Sequence, residues 1–170
     1  MRLRIRTALP AAAMGTFAAP AMAATIDVSV TLPQLKVAEY HRPYVAMWLE
    51  QPGQPAVRNV AVWYQTEKKR EDGTKWLRDL RSWWRKAGRT ATLPIAGVTG
   101  ATRAPGVQKS SLNLGALPPG QYDLMVEAAR EEGGREVVRV PIAWNGKAAT
   151  RPASAAGTTE LGAVSATIKP

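Results

Sequence analysis

The stretch LGALPPGQYDLMVEAARE, residues 114–131, decides the fold. Pro118 and Pro119 lack the N–H that a helix or a sheet ladder needs, and Gly120 behind them tolerates the sharp backbone angles of a turn. Directly after this turn Tyr122, Leu124, Val126 and Ala128 alternate with Asp123, Met125, Glu127 and Ala129. A period of two is the mark of a strand with one buried face. Gly133-Gly134 then leads into REVVRVPIAW, where Val138, Val140 and Ile142 again share a face, so the two runs are expected to form a β-hairpin.

Working outward, the same signal recurs. TIDVSVT, residues 25–31, alternates Ile26, Val28 and Val30 against Asp27, Ser29 and Thr31. After a break at Pro33, Tyr44 to Leu49 form a run apolar on both faces, as in a central strand. VRNVAVWYQ, residues 57–65, follows a loop containing Pro52, Gly53 and Pro55 and is expected to pair with it as a hairpin. A weaker strand is read around Ser110 to Leu114, and a last one carries Val164, Ala166 and Ile168. The Ala-, Pro-, Ser- and Gly-rich stretch at 147–157 before it reads as a mobile loop.

One segment changes period. In DGTKWLRDLRSWWRKAG, residues 72–88, Trp76, Leu77, Leu80, Trp83 and Trp84 fall on one face of a helix and Gly88 is a natural stop. Arg78, Arg81, Arg85 and Lys86 stay outside that face; with Arg89 they either solubilise the helix or dock an acidic electron-transfer partner. The expected fold is therefore mainly β: an immunoglobulin-like antiparallel β-sandwich with one inserted amphipathic helix, its turn-then-tyrosine stretch resembling the start of a late strand in such sandwiches. There is no internal repeat and no coiled coil. With six tryptophans and a single phenylalanine, Phe17, the core relies on indole rings. Trp48 and Trp63 are read as sandwich core and Trp76, Trp83 and Trp84 as the packed helix face, with stacking on a planar ligand as the alternative use of the helix tryptophans.

Arg2, Arg4 and Arg6, an alanine-rich apolar run and the small-x-small site Ala21-Met22-Ala23 read as a secretory signal peptide over residues 1–23, with Ala24 the first mature residue and 24–170 a single domain. The run is too short to span a membrane, and nothing later is apolar enough to do so. Cysteine is absent, which excludes disulfides, thiolate metal sites and thiol chemistry. The formal charge of +10 falls by three to about +7 when the signal arginines leave, and an excess of that size favours an anionic neighbour. Export argues against nucleic acid.

Hydrolytic chemistry finds little support. A serine triad needs a histidine base, and His41, the only histidine, sits beside Arg42-Pro43 at the start of a strand. One histidine without a thiolate or a second nitrogen ligand argues against zinc, so His41 reads as a loop residue bonding its neighbours and no metal ligand is assigned. Glu131, Glu132 and Glu136, around the glycine turn, read as solvated charges.

The remaining motif is GVTGATRAPG, residues 97–106. Taken in order, YHRPYVAMWLE, VWYQ, KWLRDLRSWW, VTGATRAPG and PPGQYDLMVEAARE resemble the family of predicted periplasmic bacterial proteins catalogued as domain of unknown function 2271, over essentially the whole mature chain. The resemblance implies a periplasmic setting near PepSY-type membrane reductases, iron-uptake receptors and flavin transferases. The core Thr99-Gly100-Ala101-Thr102 also resembles the signal at which a transferase joins the phosphate of FMN to the last threonine, here Thr102. The attachment signal carries an acidic residue and a further Ser/Thr where this chain has Ala96 and Ala104. On that likeness Thr102 is the acceptor, Gly100 supplies backbone freedom, Arg103 offsets the phosphodiester charge, and Tyr44, Trp83 and Trp84 surround the flavin of an electron carrier. The other readings are an ordered turn in which Gly97, Gly100, Pro105 and Gly106 bend the chain while Thr99 and Thr102 bond the backbone, and a non-catalytic immunoglobulin-like interaction or ligand-binding module without a cofactor.

Overall fold

Proline-proline-glycine and glycine-glycine turns bracket the strand β6 (Gly120–Ala129), which pairs antiparallel with β7 (Arg135–Trp144) from Gly120↔Trp144 to Ala129↔Arg135. The expected hairpin is present: Gly133 N donates to the Arg130 carbonyl and Arg130 N to the Gly134 carbonyl. Tyr122 closes the other end, its hydroxyl donating to the Pro118 carbonyl at 2.7 Å, the bond a tyrosine corner makes. The structure is a computed structural model describing residues 22–55, 57–66 and 73–170.

The remaining strands are β1 (Met22–Leu32), β2 (Tyr44–Glu50), β3 (Val57–Tyr64), β4 (Thr99–Ala101), β5 (Gly106–Leu117), β8 (Ala153–Ala156) and β9 (Ala163–Lys169). They form two sheets, ordered β5-β1-β9-β8 and β4-β3-β2-β6-β7. The protein is mainly β, as expected. The pairing departs from a purely antiparallel sandwich at one place, where β4 runs parallel to β3. Most of the proposed signal peptide lies outside the described residues. β1 begins at Met22, ahead of the expected mature start at Ala24.

The alternating inward residues of β1, Ile26, Val28 and Val30, meet Leu124, Val126, Val138 and Val140 from the second sheet. Trp63 and Trp144 lie in this core, and Trp144 Nε1 donates to the Leu117 carbonyl. Trp48 does not. It belongs to a second core on the opposite face of β2, together with Tyr44, Tyr64, Leu77, Leu80, Trp83 and Val98. The molecule has three layers, sheet on sheet on a helical segment, which is why Tyr44 to Leu49 is buried on both faces.

Other expectations need correction. Residues 73–90 are not one helix but a 3-10 turn over Gly73–Asp79, a short α-helix α1 (Arg81–Lys86) and a second 3-10 turn over Gly88–Thr90. Leu77 from the first 3-10 turn, Leu80 at the junction and Trp83 from α1 are the buried residues of the segment's inner face. Trp76 therefore points outward and is 43 % exposed. The stretch read as a mobile loop contains β8, paired with β9, and Asn145 Oδ1 accepts from the N–H groups of Lys147 and Ala148. The weak strand expected at Ser110–Leu114 is the middle of β5, which runs beside all of β1.

Candidate functional site

Tyr64↔Ala101, Tyr44↔Ala129 and Ala129↔Arg135 are paired across the second sheet, and Val45↔Trp63 sets Tyr44 beside Tyr64. One end of that sheet therefore gathers the Thr-Gly-Ala-Thr segment, the ends of β2 and β3, and the β6–β7 turn. The Tyr44 and Tyr64 rings lie 6.4 Å apart at 55°.

At the edge, Thr102 N donates to the Tyr64 carbonyl at 3.2 Å. The two threonines of the motif differ in use. Thr99 Oγ1 accepts from Ile95 N at 2.9 Å, binding the turn before β4. Thr102 Oγ1 has no hydrogen bond among the described residues, and Ala101, Arg103 and Ala104 around it are exposed. The reading in which both hydroxyls serve the local backbone holds for Thr99 alone. Gly97 and Gly106 have φ of 72° and 120°, but Gly100 does not share that conformation. Its requirement is close approach, since a Cβ there would stand 3.3 Å from Trp63 Cδ1. The Arg103 guanidinium lies over the Trp63 ring, 4.9 Å from its centroid, a cation–π contact that fixes the residue after Thr102.

The other expected site residues separate. Trp83 is fully buried and its Nε1 donates to Asn59 Oδ1 at 2.7 Å, so it has no face to offer a ligand. Tyr44 is buried within the second core, and Trp84 is half-buried and tilted on Trp83.

Sequence reading missed a cavity of about 420 Å3 at this end of the sheet, whose lining includes Tyr44, Gln65, Trp76, Arg42, Arg81 and Glu132. Its volume is that of a small-molecule site. Trp76, read as core, stands on its wall. The β6–β7 turn on the other side is fixed by Arg130, almost entirely buried, whose Nε and Nη2 donate to Glu160 at 3.0 and 3.1 Å. That hydrogen-bonded carboxylate holds the guanidinium firmly charged against the cost of its burial. Gly134 N also donates to Glu160.

The three glutamates near the turn have distinct surroundings. Glu136 is not a solvated charge: its carboxylate accepts from the N–H groups of Thr158, Thr159, Glu160 and Leu161. Burial pushes its pKa up, but the backbone donors outweigh it and bring the group down to about 2. Glu131 and Glu132 are exposed and converge on His41. His41 Nε2 lies 3.4 Å from Glu39 Oε1 and Nδ1 3.8 Å from Glu131 Oε2.

Two stacked sheets, a helical third layer, a cavity at one end of the second sheet and a partly exposed threonine at that sheet's edge define a β-sandwich that presents its candidate chemistry at one end of one sheet. Residues 25–163 match the family described as predicted periplasmic protein (DUF2271), and the chain belongs to that family. It is a periplasmic protein. No curated protein and no solved structure matches it. No helix among the described residues is long and apolar enough to cross a membrane.

Proposed function

We propose that this protein serves a membrane-linked redox or iron-acquisition system of the periplasm as an electron carrier, with FMN joined through its phosphate to Thr102. The observation that carries the reading is the contrast between the two threonines: Thr99 Oγ1 is bonded within the turn, while Thr102 Oγ1 makes no bond among the described residues. A transferase needs such a hydroxyl at an edge, where its own active site can reach it. As the Oγ1–P bond forms, the bond from phosphorus to the leaving group of an activated flavin donor breaks and the hydroxyl proton passes to a base of the transferase. Arg103, stacked on Trp63, keeps N–H groups for the resulting phosphodiester. Bound flavin supplies the electron transfer, and the chain supplies its position. A PepSY-type membrane reductase is the proposed electron partner.

Coexpression with a periplasmic flavin transferase tests this. The purified protein is expected to be yellow, to keep its colour through denaturation, and to lose it in Thr102→Ala. A colourless wild-type protein, under conditions that flavinylate a control, overturns the reading.

The cavity favours a second reading, a ligand-binding module without a covalent cofactor. Trp76 offers an exposed ring on its wall, and Arg42 and Arg81 form no ion pair among the described residues, so an aromatic or anionic small molecule fits its chemistry. Saturable quenching of Trp76 fluorescence by such a ligand, in a protein that remains unmodified, supports this reading over the first.

A further inference from the structure

We propose that Glu39, His41 and Glu132 form a site for one divalent transition-metal ion of the zinc class, with Glu131 orienting the imidazole and open coordination positions turned toward the neighbouring cavity. The proposal does not depend on a flavin at Thr102.

One donor atom from each of Glu39, His41 and Glu132 lies within 4.8 Å of the others. Ligands bonded at about 2.1 Å around a tetrahedral ion sit about 3.4 Å from one another. His41 Nε2 and Glu39 Oε1 are already 3.4 Å apart. Rotation of the exposed Glu132 side chain closes the two remaining edges, which lie within 4.8 Å.

The imidazole adds a second argument. Nδ1 stands 3.8 Å from Glu131 Oε2, longer than a hydrogen bond but within reach of one after a small side-chain rotation, and metal-bound histidines commonly donate their other N–H to such a carboxylate. Both ring nitrogens face carboxylates, and a cation between Nε2 and Glu39 would be bound by the lone pair of a neutral imidazole.

The scaffold holds both halves in place. His41 leads through buried Pro43 into β2, and the turn bearing Glu131 and Glu132 is pinned by Arg130 and Gly134 on Glu160. Glu131, Glu132 and Arg42 line the cavity, so an anionic co-ligand on the open side of the ion meets guanidinium groups. One imidazole and two carboxylates suit zinc, manganese or iron(II) and not the soft copper(I) ion.

The test is titration of the purified, tag-free protein with Co2+ and Zn2+ by calorimetry, with the visible spectrum of Co2+ and the ring resonances of His41, the only histidine in the chain, as spectroscopic readouts. The expected result is one ion per chain, visible Co2+ bands and shifted His41 resonances. Affinity is expected to fall at least 10-fold in His41→Ala and Glu132→Gln and about 10-fold in Glu131→Gln. Thr102→Ala leaves it unchanged, so failure here and failure of the flavin reading are separable. Absence of binding at millimolar metal overturns the proposal, as does undiminished affinity in Glu132→Gln, an exposed turn substitution that leaves the core intact.

Discussion

Glu127 shows most plainly how one side chain ties two layers together. It sits on β6, is fully buried, and accepts from Ser82 N, Trp83 N and Arg135 Nη1 at 3.1, 2.8 and 2.6 Å. Its removal strands the first N–H groups of α1 and a partly buried guanidinium. Glu127→Leu is expected to lower stability by about 3 kcal/mol, read from denaturant midpoints. A loss below 0.5 kcal/mol contradicts this role. Glu136 makes the complementary prediction with pH. Its folded pKa of about 2 lies below the ordinary 4.5, so its contribution is complete above pH 4.5 and disappears as pH falls toward 2. After allowance for solvent screening the effect is on the order of 1 kcal/mol, and Glu136→Gln is expected to flatten the stability profile across that window. Neither role was legible in the sequence. Alternation assigned Glu127 to the strand face opposite Leu124 and Val126, which is correct, but no local signal says that the helical segment covers that face. The donors to Glu136 come from residues 158–161, far away in the chain.

Elements with a local physical cause were readable, and those stabilised by a distant partner were not. The β6–β7 hairpin followed from its two turns and its period of two, while the bond from the Tyr122 hydroxyl to the Pro118 carbonyl is visible only in the structure. Tyr122→Phe is expected to cost about 1 kcal/mol, measurable as a lower melting temperature, while leaving the near-ultraviolet spectrum of the tryptophans in place. The segment at 73–90 was recognisable as amphipathic but misread in pitch, because a face counted at 3.6 residues per turn takes in Trp76 and Trp84, whereas the buried set is Leu77, Leu80 and Trp83. Iodide or acrylamide quenching decides between the two pitches. Trp76→Phe is expected to remove most of the readily quenched emission, and Trp83→Phe to lower stability without removing it. The opposite pattern means that the segment packs by its other face. Gly88 reads as a helix stop, yet what it supplies is room: a Cβ would stand 2.7 Å from Trp84 and 2.8 Å from Trp83. Gly88→Ala is expected to destabilise the protein by about 1–3 kcal/mol through overpacking.

At the scale of the whole molecule, three layers without a disulfide explain how a cysteine-free periplasmic chain with a single phenylalanine holds together: indoles fill both cores, the buried Arg130–Glu160 pair ties the end of β6 to the loop before β9, and Glu127 ties β6 to the helical segment. The same stacking brings the edge strand β4, the cavity and the His41 cluster to one end of the second sheet. β4 has three residues and pairs parallel to β3, too short for alternation to register, so the Thr-Gly-Ala-Thr motif could be found in the sequence while its position on a sheet edge could not. The approach of Glu131 and Glu132 to His41 has no local signal in the sequence, because those residues belong to the β6–β7 turn some ninety residues further on. Covalent flavin on Thr102 is decided by intact-mass measurement of protein coproduced with a flavin transferase. The wild-type chain is expected to gain one FMN less water, an increment retained in Thr102→Ser, absent in Thr102→Ala, and mapped by peptide fragmentation to Thr102. An unmodified wild-type mass beside a flavinylated control protein, or an increment that survives Thr102→Ala, contradicts it.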